Sequence, residues 1–160
     1  MFQRFLGIGI GIGIGMALAC LGLGSASAQA ISDCNDWRSH VLGIAEPWEA
    51  NTRTYAGGTV RLVILDVGEP VAGSFRLMIL TPPTDANPDA RQCQVLSLDT
   101  DIAFAGLSFD GVNTSTDPTG LTVFIPARRW ISATDTYTDA TLSVTVVSTD
   151  GAIAASLEQG

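Results

Sequence analysis

The chain has 160 residues, a length typical of one domain, and 46% of its residues are hydrophobic. Its eight basic residues are all Arg and stand against 16 acidic residues, which gives a formal net charge of −8. Because so acidic a chain repels phosphate groups, the composition excludes nucleic acid and anionic lipid surfaces as partners.

The N-terminal segment has the layout of a bacterial signal peptide. Arg4 is the only charged residue before position 33, and the apolar stretch 5–23 is followed by small residues. Two Ala-x-Ala sites predict cleavage after Ala28 or after Ala30. The segment therefore predicts export from the cytoplasm.

Cleavage divides the chain into a signal peptide over residues 1–30 and a single domain over residues 31–160. We expect that domain in the periplasm or outside a Gram-negative bacterium, with only transient membrane contact through the signal peptide. An uncleaved anchor is an alternative, since about 20 apolar residues span a bilayer. Lipidation at Cys20 is another, although the sequence before it matches a lipoprotein site poorly.

Two cysteines, Cys34 and Cys93, remain after the signal peptide. In an oxidising compartment such a pair predicts a disulfide, and closing its loop of 60 residues stabilises the fold by about 4 kcal/mol. The chain has no Cys-x-x-Cys motif and only one His, so we expect neither a redox site nor an ordinary zinc site. We expect no metal and no cofactor.

One helix is predicted, over residues 35–44. Asn35 or Asp36 is suited to cap it, Trp37 and Val41 recur at a spacing of four, and Pro47 follows.

The rest of the chain has the period of β-strands separated by turn residues. We predict strands over 52–55, 59–67, 74–80, 92–98, 104–109, 121–130, 141–147 and 152–154. Residues 110–120 are predicted to form a loop, and Asp150-Gly151 a two-residue hairpin turn. The sequence therefore predicts a mainly β fold: an antiparallel sandwich or small barrel of about seven to eight short strands with one short N-terminal helix.

Three of these strands have a clear apolar face. The faces comprise Phe75, Leu77 and Ile79; Leu121, Val123 and Ile125; and Leu142, Val144 and Val146. Cys93 and Val95 share one face of their strand, which predicts that the disulfide lies within a sheet.

Several segments resemble small exported proteins of unknown function from alphaproteobacteria. These segments are CNDW (34–37), EPWEANTRTY (46–55), VRLVILD (60–66), EP (69–70), RQC (91–93), DPTGLTVFIP (117–126) and RRW (128–130). The resemblance implies export and a disulfide, and it carries no catalytic signature.

His40 and the pair Asp99 and Asp101 are the acid–base candidates. His40 follows Asp36 by four residues, so a helix would place both on one face, as an oriented general base requires. Asp99 and Asp101 would point to one side of an extended strand, as in a glycosidase pair. Both sets also fit plain surface and turn chemistry, which we favour.

Asn113, Ser115 and Asp117 alternate oxygen ligands, as in a calcium loop. However, Pro118 stands where an EF-hand needs Gly, and Phe124 where it needs Glu. We interpret the segment as a hairpin loop, with a looser calcium site as the alternative.

A mixture of aromatic, Arg and acidic residues suggests two binding surfaces, because Trp, Tyr and Arg provide most interface anchors. The first comprises Glu46, Trp48, Glu49, Asn51, Arg53 and Tyr55, and the second Arg128, Arg129 and Trp130. The alternative is that Trp48 and Tyr55 belong to the core and that Glu49 and Arg53 form a surface pair.

These observations favour a non-catalytic binding or structural module whose partner is an unknown protein or a small envelope ligand. A hydrolase acting on envelope polymers or esters is the alternative, with His40 or the Asp99–Asp101 pair as its acid or base.

Overall fold

The computed structural model describes residues 29–35, 37–68, 73–84 and 87–160. The predicted signal peptide, with the exception of Gln29 and Ala30, lies outside the described residues, as do Asp36 and residues 69–70. Among the described residues, no helix is both long and apolar enough to cross a membrane.

Ten strands account for most of the described chain, which confirms a mainly β fold. They are β1 (Ala30–Asp33), β2 (Thr52–Tyr55), β3 (Val60–Asp66), β4 (Phe75–Thr81), β5 (Gln92–Ser97), β6 (Gly106–Leu107), β7 (Asn113–Asp117), β8 (Gly120–Ile131), β9 (Thr136–Val147) and β10 (Ile153–Gln159). Short 3₁₀ helices at Trp37–Ser39, Val41–Gly43 and Ala56–Gly58 lie between them.

The strands form two antiparallel sheets of five strands each. The first sheet has the order β1-β5-β4-β3-β2, and the second has the order β10-β9-β8-β6, with β7 paired to the other half of β8. Both sheets keep open edges over the described residues, so the barrel alternative is wrong.

Apolar residues at alternate positions of both sheets form one shared core. The three predicted faces are confirmed, because Leu77, Ile79, Val123, Ile125, Leu142, Val144 and Val146 are buried in it, and Phe75 and Leu121 pack against it. Phe104 is fully buried and pairs with Phe75 at the start of β4. Two main-chain hydrogen bonds of 2.9 and 3.1 Å form this pair, which links β4 to the segment just before β6.

The disulfide between Cys34 and Cys93 is confirmed, with Cα atoms 5.5 Å apart. It attaches the end of β1 to β5, where Asp33 pairs with Gln94. Cys34 packs on a second apolar cluster formed by Val63, Leu65 and Val95 on the outer side of the first sheet. The bond therefore holds an edge strand and the segment after it against the sheet.

The predicted single helix over residues 35–44 is wrong in its form. The segment contains two single 3₁₀ turns instead, and Val41 and Leu42 are 74% and 90% exposed. Its two ends are held by the sheet: Cys34 by the disulfide, and Ile44 by its pairing with Leu65.

Five strand predictions also need correction. The segment 104–109 forms only the two-residue β6, and β9 begins five residues earlier than predicted. β10 extends five residues further than predicted, and β1 was not predicted. The predicted loop 110–120 contains β7. Its five residues are all polar and exposed, so this strand has no apolar face from which it could be predicted.

The Asp150-Gly151 turn joins β9 to β10 as predicted, but as a longer loop in which Gly151 has φ 69°. Asp150 Oδ1 accepts a hydrogen bond of 2.9 Å from the N–H of Ala152.

Candidate recognition face on the second sheet

The longest hairpin of the fold presents an exposed outer face. β8 and β9 have 12 residues each and pair along their whole length, from Gly120 with Val147 to Ile131 with Thr136. Residues 132–135 connect them, and Asp135 takes the left-handed conformation at φ 55°. Since side chains alternate along a strand, the residues between the buried ones on β8 and β9 point away from the core.

Two cross-strand pairs near the hairpin turn combine aromatic and charged groups. Trp130 pairs with Tyr137, and their ring centroids lie 4.8 Å apart with the planes tilted by 59°. Arg128 pairs with Asp139, and the distance from its Nε to Asp139 Oδ1 is 3.3 Å. The guanidinium carbon of Arg128 also lies 5.0 Å from the Tyr137 ring centroid, so the four side chains form one connected cluster.

The cluster is open to solvent. Tyr137 is 51% exposed, and the side chains of Arg128 and Asp139 are 55% and 88% exposed. Groups so exposed gain little stability from their ion pair, so the pair costs little to rearrange around a ligand.

A pocket of about 440 Å³ adjoins the cluster, which is within the size range of small-ligand sites. Its lining comprises Gly106, Leu107, Ser108, Pro126, Ala127, Arg128, Asp139 and Ala140. Gly106 pairs with Arg128, and a Cβ on this glycine would meet the Arg128 side chain at 3.5 Å. The missing side chain at position 106 therefore leaves space beside the aliphatic part of the Arg128 side chain.

Hydroxyl groups continue the outer face away from the hairpin turn. Pro126 pairs with Thr141, Phe124 with Ser143, and Thr122 with Thr145. The hydroxyls of Thr122 and Thr145 are hydrogen-bonded at 2.9 Å. We call the outward side of these five cross-strand pairs, from Thr122–Thr145 to Trp130–Tyr137, the recognition face.

Sequence reasoning found only part of this face. It identified Arg128, Arg129 and Trp130. In the structure Arg128 and Trp130 point outward, whereas Arg129, which pairs with Thr138, points to the opposite side of the sheet. It missed Gly106, Tyr137 and Asp139. The run Thr136-Tyr137-Thr138 was a usable signal, since β-branched and aromatic residues favour strands.

The first predicted surface, residues 46–55, lies at the first sheet, and its Arg53 is hydrogen-bonded to the main chain of the protein itself. Arg53 Nη1 donates to the main-chain oxygens of Glu49, Ala50 and Thr52 at 3.0, 3.0 and 2.9 Å. Its guanidinium carbon also lies 5.3 Å from the Phe109 ring centroid. Arg53 thus contacts the main chain of Glu49, whereas the predicted pair would join the two side chains.

The remaining members of that surface form a turn before β2. Asn51 Nδ2 donates to the oxygen of Pro47 at 3.1 Å, and Glu46 Oε2 accepts from the N–H of Trp48 at 3.2 Å. Trp48 itself is 55% exposed. Tyr55 packs against the core, and burial raises the pKa of its hydroxyl while the nearby Arg53 lowers it in part.

The acid–base candidates occupy turns and exposed positions. His40 is exposed and precedes the second 3₁₀ turn. Asp99 Oδ1 accepts from the N–H of Thr100 at 2.7 Å inside a turn, whereas Asp101 lies 3.6 Å from Arg38. The two carboxylates therefore serve different local contacts.

Asp117, one of the three candidate ligands of the alternative calcium site, also has local partners. Asp117 Oδ1 accepts from the hydroxyl and the N–H of Thr119, at 2.5 and 2.7 Å, and from the N–H of Gly120 at 3.1 Å. These bonds, the hydroxyl first, lower the pKa of Asp117. Within the described ranges, no group of three or more His, Cys, Asp or Glu side chains is arranged to hold a metal ion.

Comparison with known proteins gives no relative for this chain: no protein-family model, curated protein or solved structure matches it significantly.

Proposed function

We propose that this chain is an exported, non-catalytic binding module of the periplasm or cell exterior that holds its partner on the recognition face. The observation that carries the proposal is the cluster of exposed Arg128, Tyr137 and Asp139 with the partly buried Trp130, beside a pocket of about 440 Å³. Clustered aromatic and Arg side chains supply most of the binding energy in protein recognition sites.

The bounds of β1 favour cleavage after Ala28 over cleavage after Ala30. β1 begins at Ala30, which pairs with Ser97, and Gln29 before it is buried. A cut after Ala28 keeps β1 whole, whereas a cut after Ala30 removes its first residue. The intact mass of protein purified from the periplasm tests this: we expect a chain that begins at Gln29, and a mass retaining residues 1–28 would contradict it.

We further propose that the two sheets pack as an antiparallel sandwich. The shared core contains residues of both sheets, including Leu62 and Ile64 of β3 and Leu142 and Val144 of β9. In this arrangement the outer side of β8 and β9 is turned away from the core, which leaves it for a partner.

The alternative function, a hydrolase of envelope polymers or esters, has weaker support. A general base needs a reacting group within hydrogen-bond reach. His40 lies on an exposed segment, and Asp99 and Asp101 make separate contacts with Thr100 and Arg38. The recognition face brings aromatic and charged side chains together beside a pocket, as a binding site requires, so we favour binding.

The proposal is tested by sedimenting the purified mature protein with envelope fractions of a Gram-negative bacterium. We expect the wild type to sediment with the envelope and the Tyr137→Ala variant to remain in the supernatant. Trp48→Ala is the matched control, because it removes an exposed aromatic side chain from the other predicted surface. Equal loss in both variants, or no binding by the wild type, would refute the proposed face.

A further inference from the structure

We propose that the recognition face binds a neutral polysaccharide chain. This inference rests on the proposed function and names the ligand class of the same site. Four properties support it: the charge of the cluster, the main-chain groups that are already hydrogen-bonded, the length of the face, and the glycine that lines the adjacent pocket.

The charged pair in the cluster is balanced. Arg128 and Asp139 lie 3.3 Å apart and neutralise each other, so the cluster has no net charge to offer an ionic ligand. Glu158 of β10 pairs with Thr141 and adds a negative charge on the same side of the sheet, which further disfavours an anionic ligand. The protein as a whole carries a formal charge of −8, and its field repels anionic polymers. At the same time the pair supplies both donors and acceptors, which is what a sugar hydroxyl requires, since it donates and accepts at once.

The main chain beneath the face is already hydrogen-bonded. The N–H of Ala105 donates to Arg128 O at 2.8 Å, and the N–H of Ser108 donates to Pro126 O at 3.1 Å. A peptide cannot add a strand where these groups are paired, so a ligand must be held by side chains. Rings such as Trp130 and Tyr137 offer apolar surface to the C–H groups of a pyranose ring. The adjacent pair, Arg128 and Asp139, offers hydrogen-bonding groups to the sugar hydroxyls.

The face is long. Successive outward pairs on β8 and β9 are two residues apart, so the five pairs from Thr122–Thr145 to Trp130–Tyr137 extend over about 27 Å. Such a length is too great for a monosaccharide and suits several sugar units of one chain. The hydroxyls of Thr122 and Thr145, already bonded to each other, continue the polar surface at its far end.

Gly106 forms the floor of the pocket beside the cluster. Glycine in a strand often marks a place where a ligand approaches the main chain closely. The atoms nearest to an added Cβ at this position belong to the side chain of Arg128, at 3.5 Å, which is an ordinary contact. We therefore expect a larger residue at position 106 to occupy part of the pocket.

Affinity electrophoresis tests the proposal in gels that contain one polysaccharide each. The neutral probes are a mixed-linkage β-glucan, a galactomannan and a soluble N-acetylglucosamine polymer, and alginate is the acidic probe. We expect at least one neutral probe to retard the wild type, with little effect of alginate. We expect Tyr137→Ala to raise the Kd about tenfold, the effect of losing one aromatic anchor, and Gly106→Val to weaken binding similarly.

Trp48→Ala is the control that must bind as the wild type does, and circular dichroism establishes that each variant is folded. Retardation by no neutral probe, or by alginate alone, would overturn the ligand class, while envelope sedimentation that depends on Tyr137 would leave the proposed function standing. Binding to a neutral probe that Tyr137→Ala and Gly106→Val both leave unchanged would overturn the site.

Discussion

Trp130 of β8 and Tyr137 of β9 form a cross-strand aromatic pair whose ring centroids are 4.8 Å apart. The pair lies beside the hairpin turn, and the next pair inward, Arg128 with Asp139, contacts Tyr137 through the guanidinium. The aromatic groups thus have two roles: they close the end of the hairpin, and they carry the proposed ligand contacts.

The structural role predicts energetic coupling between the two rings. In a double-mutant cycle of Trp130→Ala and Tyr137→Ala, we expect a coupling energy of about 0.5–1.5 kcal/mol in the free energy of unfolding. Urea denaturation of the wild type, both single variants and the double variant measures it. A second cycle of Trp48→Ala with Tyr137→Ala should be additive, and equal coupling in the two cycles would contradict the pairing.

Arg53 is predicted to stabilise the fold through its three main-chain acceptors. Arg53→Met keeps much of the apolar stem but leaves the oxygens of Glu49, Ala50 and Thr52 without this donor. We expect a loss of about 1–3 kcal/mol, since hydrogen bonds from a charged group are among the stronger ones. Arg61→Met is the control, because Arg61 is exposed on β3. Similar urea midpoints for both variants would show that the contacts contribute little.

Removing the disulfide should weaken the whole domain. Cys34 and Cys93 close a loop with a sequence separation of 59, so the double variant Cys34→Ser, Cys93→Ser should lose about 4 kcal/mol on chain-entropy grounds. Urea unfolding measures the loss, and wild-type protein unfolded in the presence of a reductant should give a similar midpoint. If both midpoints match that of the oxidised wild type, the bond does not restrain the unfolded chain.

Asp117 should make stability depend on acid pH. Hydrogen bonds from Thr119 and Gly120 lower the pKa of Asp117 in the folded state below its ordinary value of 3.8. The folded protein then holds this proton less tightly than the unfolded chain. The stability that Asp117 contributes is therefore complete above pH 3.8 and is lost as the pH falls below it through the folded pKa.

The variant Asp117→Asn tests this dependence. We expect its urea midpoint to fall below that of the wild type near neutral pH, and the difference between the two midpoints to narrow below the ordinary Asp pKa of 3.8. Asp89→Asn controls for the loss of one exposed carboxylate. A gap that stays constant over this pH range would mean that the bonds to Asp117 do not favour its charged form.

The buried strands were predictable because their apolar residues alternate. Phe75, Leu77 and Ile79 keep the period of two that a half-buried strand requires, and their strand was found within one residue at each end. β7 and the first residues of β9 are polar and exposed, so they lack that period. They are held in place by pairing with β8, which local sequence does not reveal.

The recognition face was only half predictable for a related reason. Arg128 and Trp130 stand out by residue type, but their partners depend on the register of the hairpin. That register follows from the connection at residues 132–135, where Asp135 adopts positive φ. The apolar pattern predicted the start of β9 five residues too late, so the pairs next to this connection were not found. Gly106 comes from a separate strand, so only the tertiary structure brings it to the site.

The indole N–H signals in a ¹H–¹⁵N spectrum test the central claim most directly, because the chain has three Trp residues and each gives one signal. Trp130 lies on the recognition face, whereas Trp37 and Trp48 are exposed elsewhere and act as internal controls. On titration with soluble fragments of bacterial envelope, binding at this face predicts that the Trp130 signal shifts or broadens while the other two stay unchanged. Perturbation of Trp37 or Trp48 in its place, or of no indole at all, would contradict it.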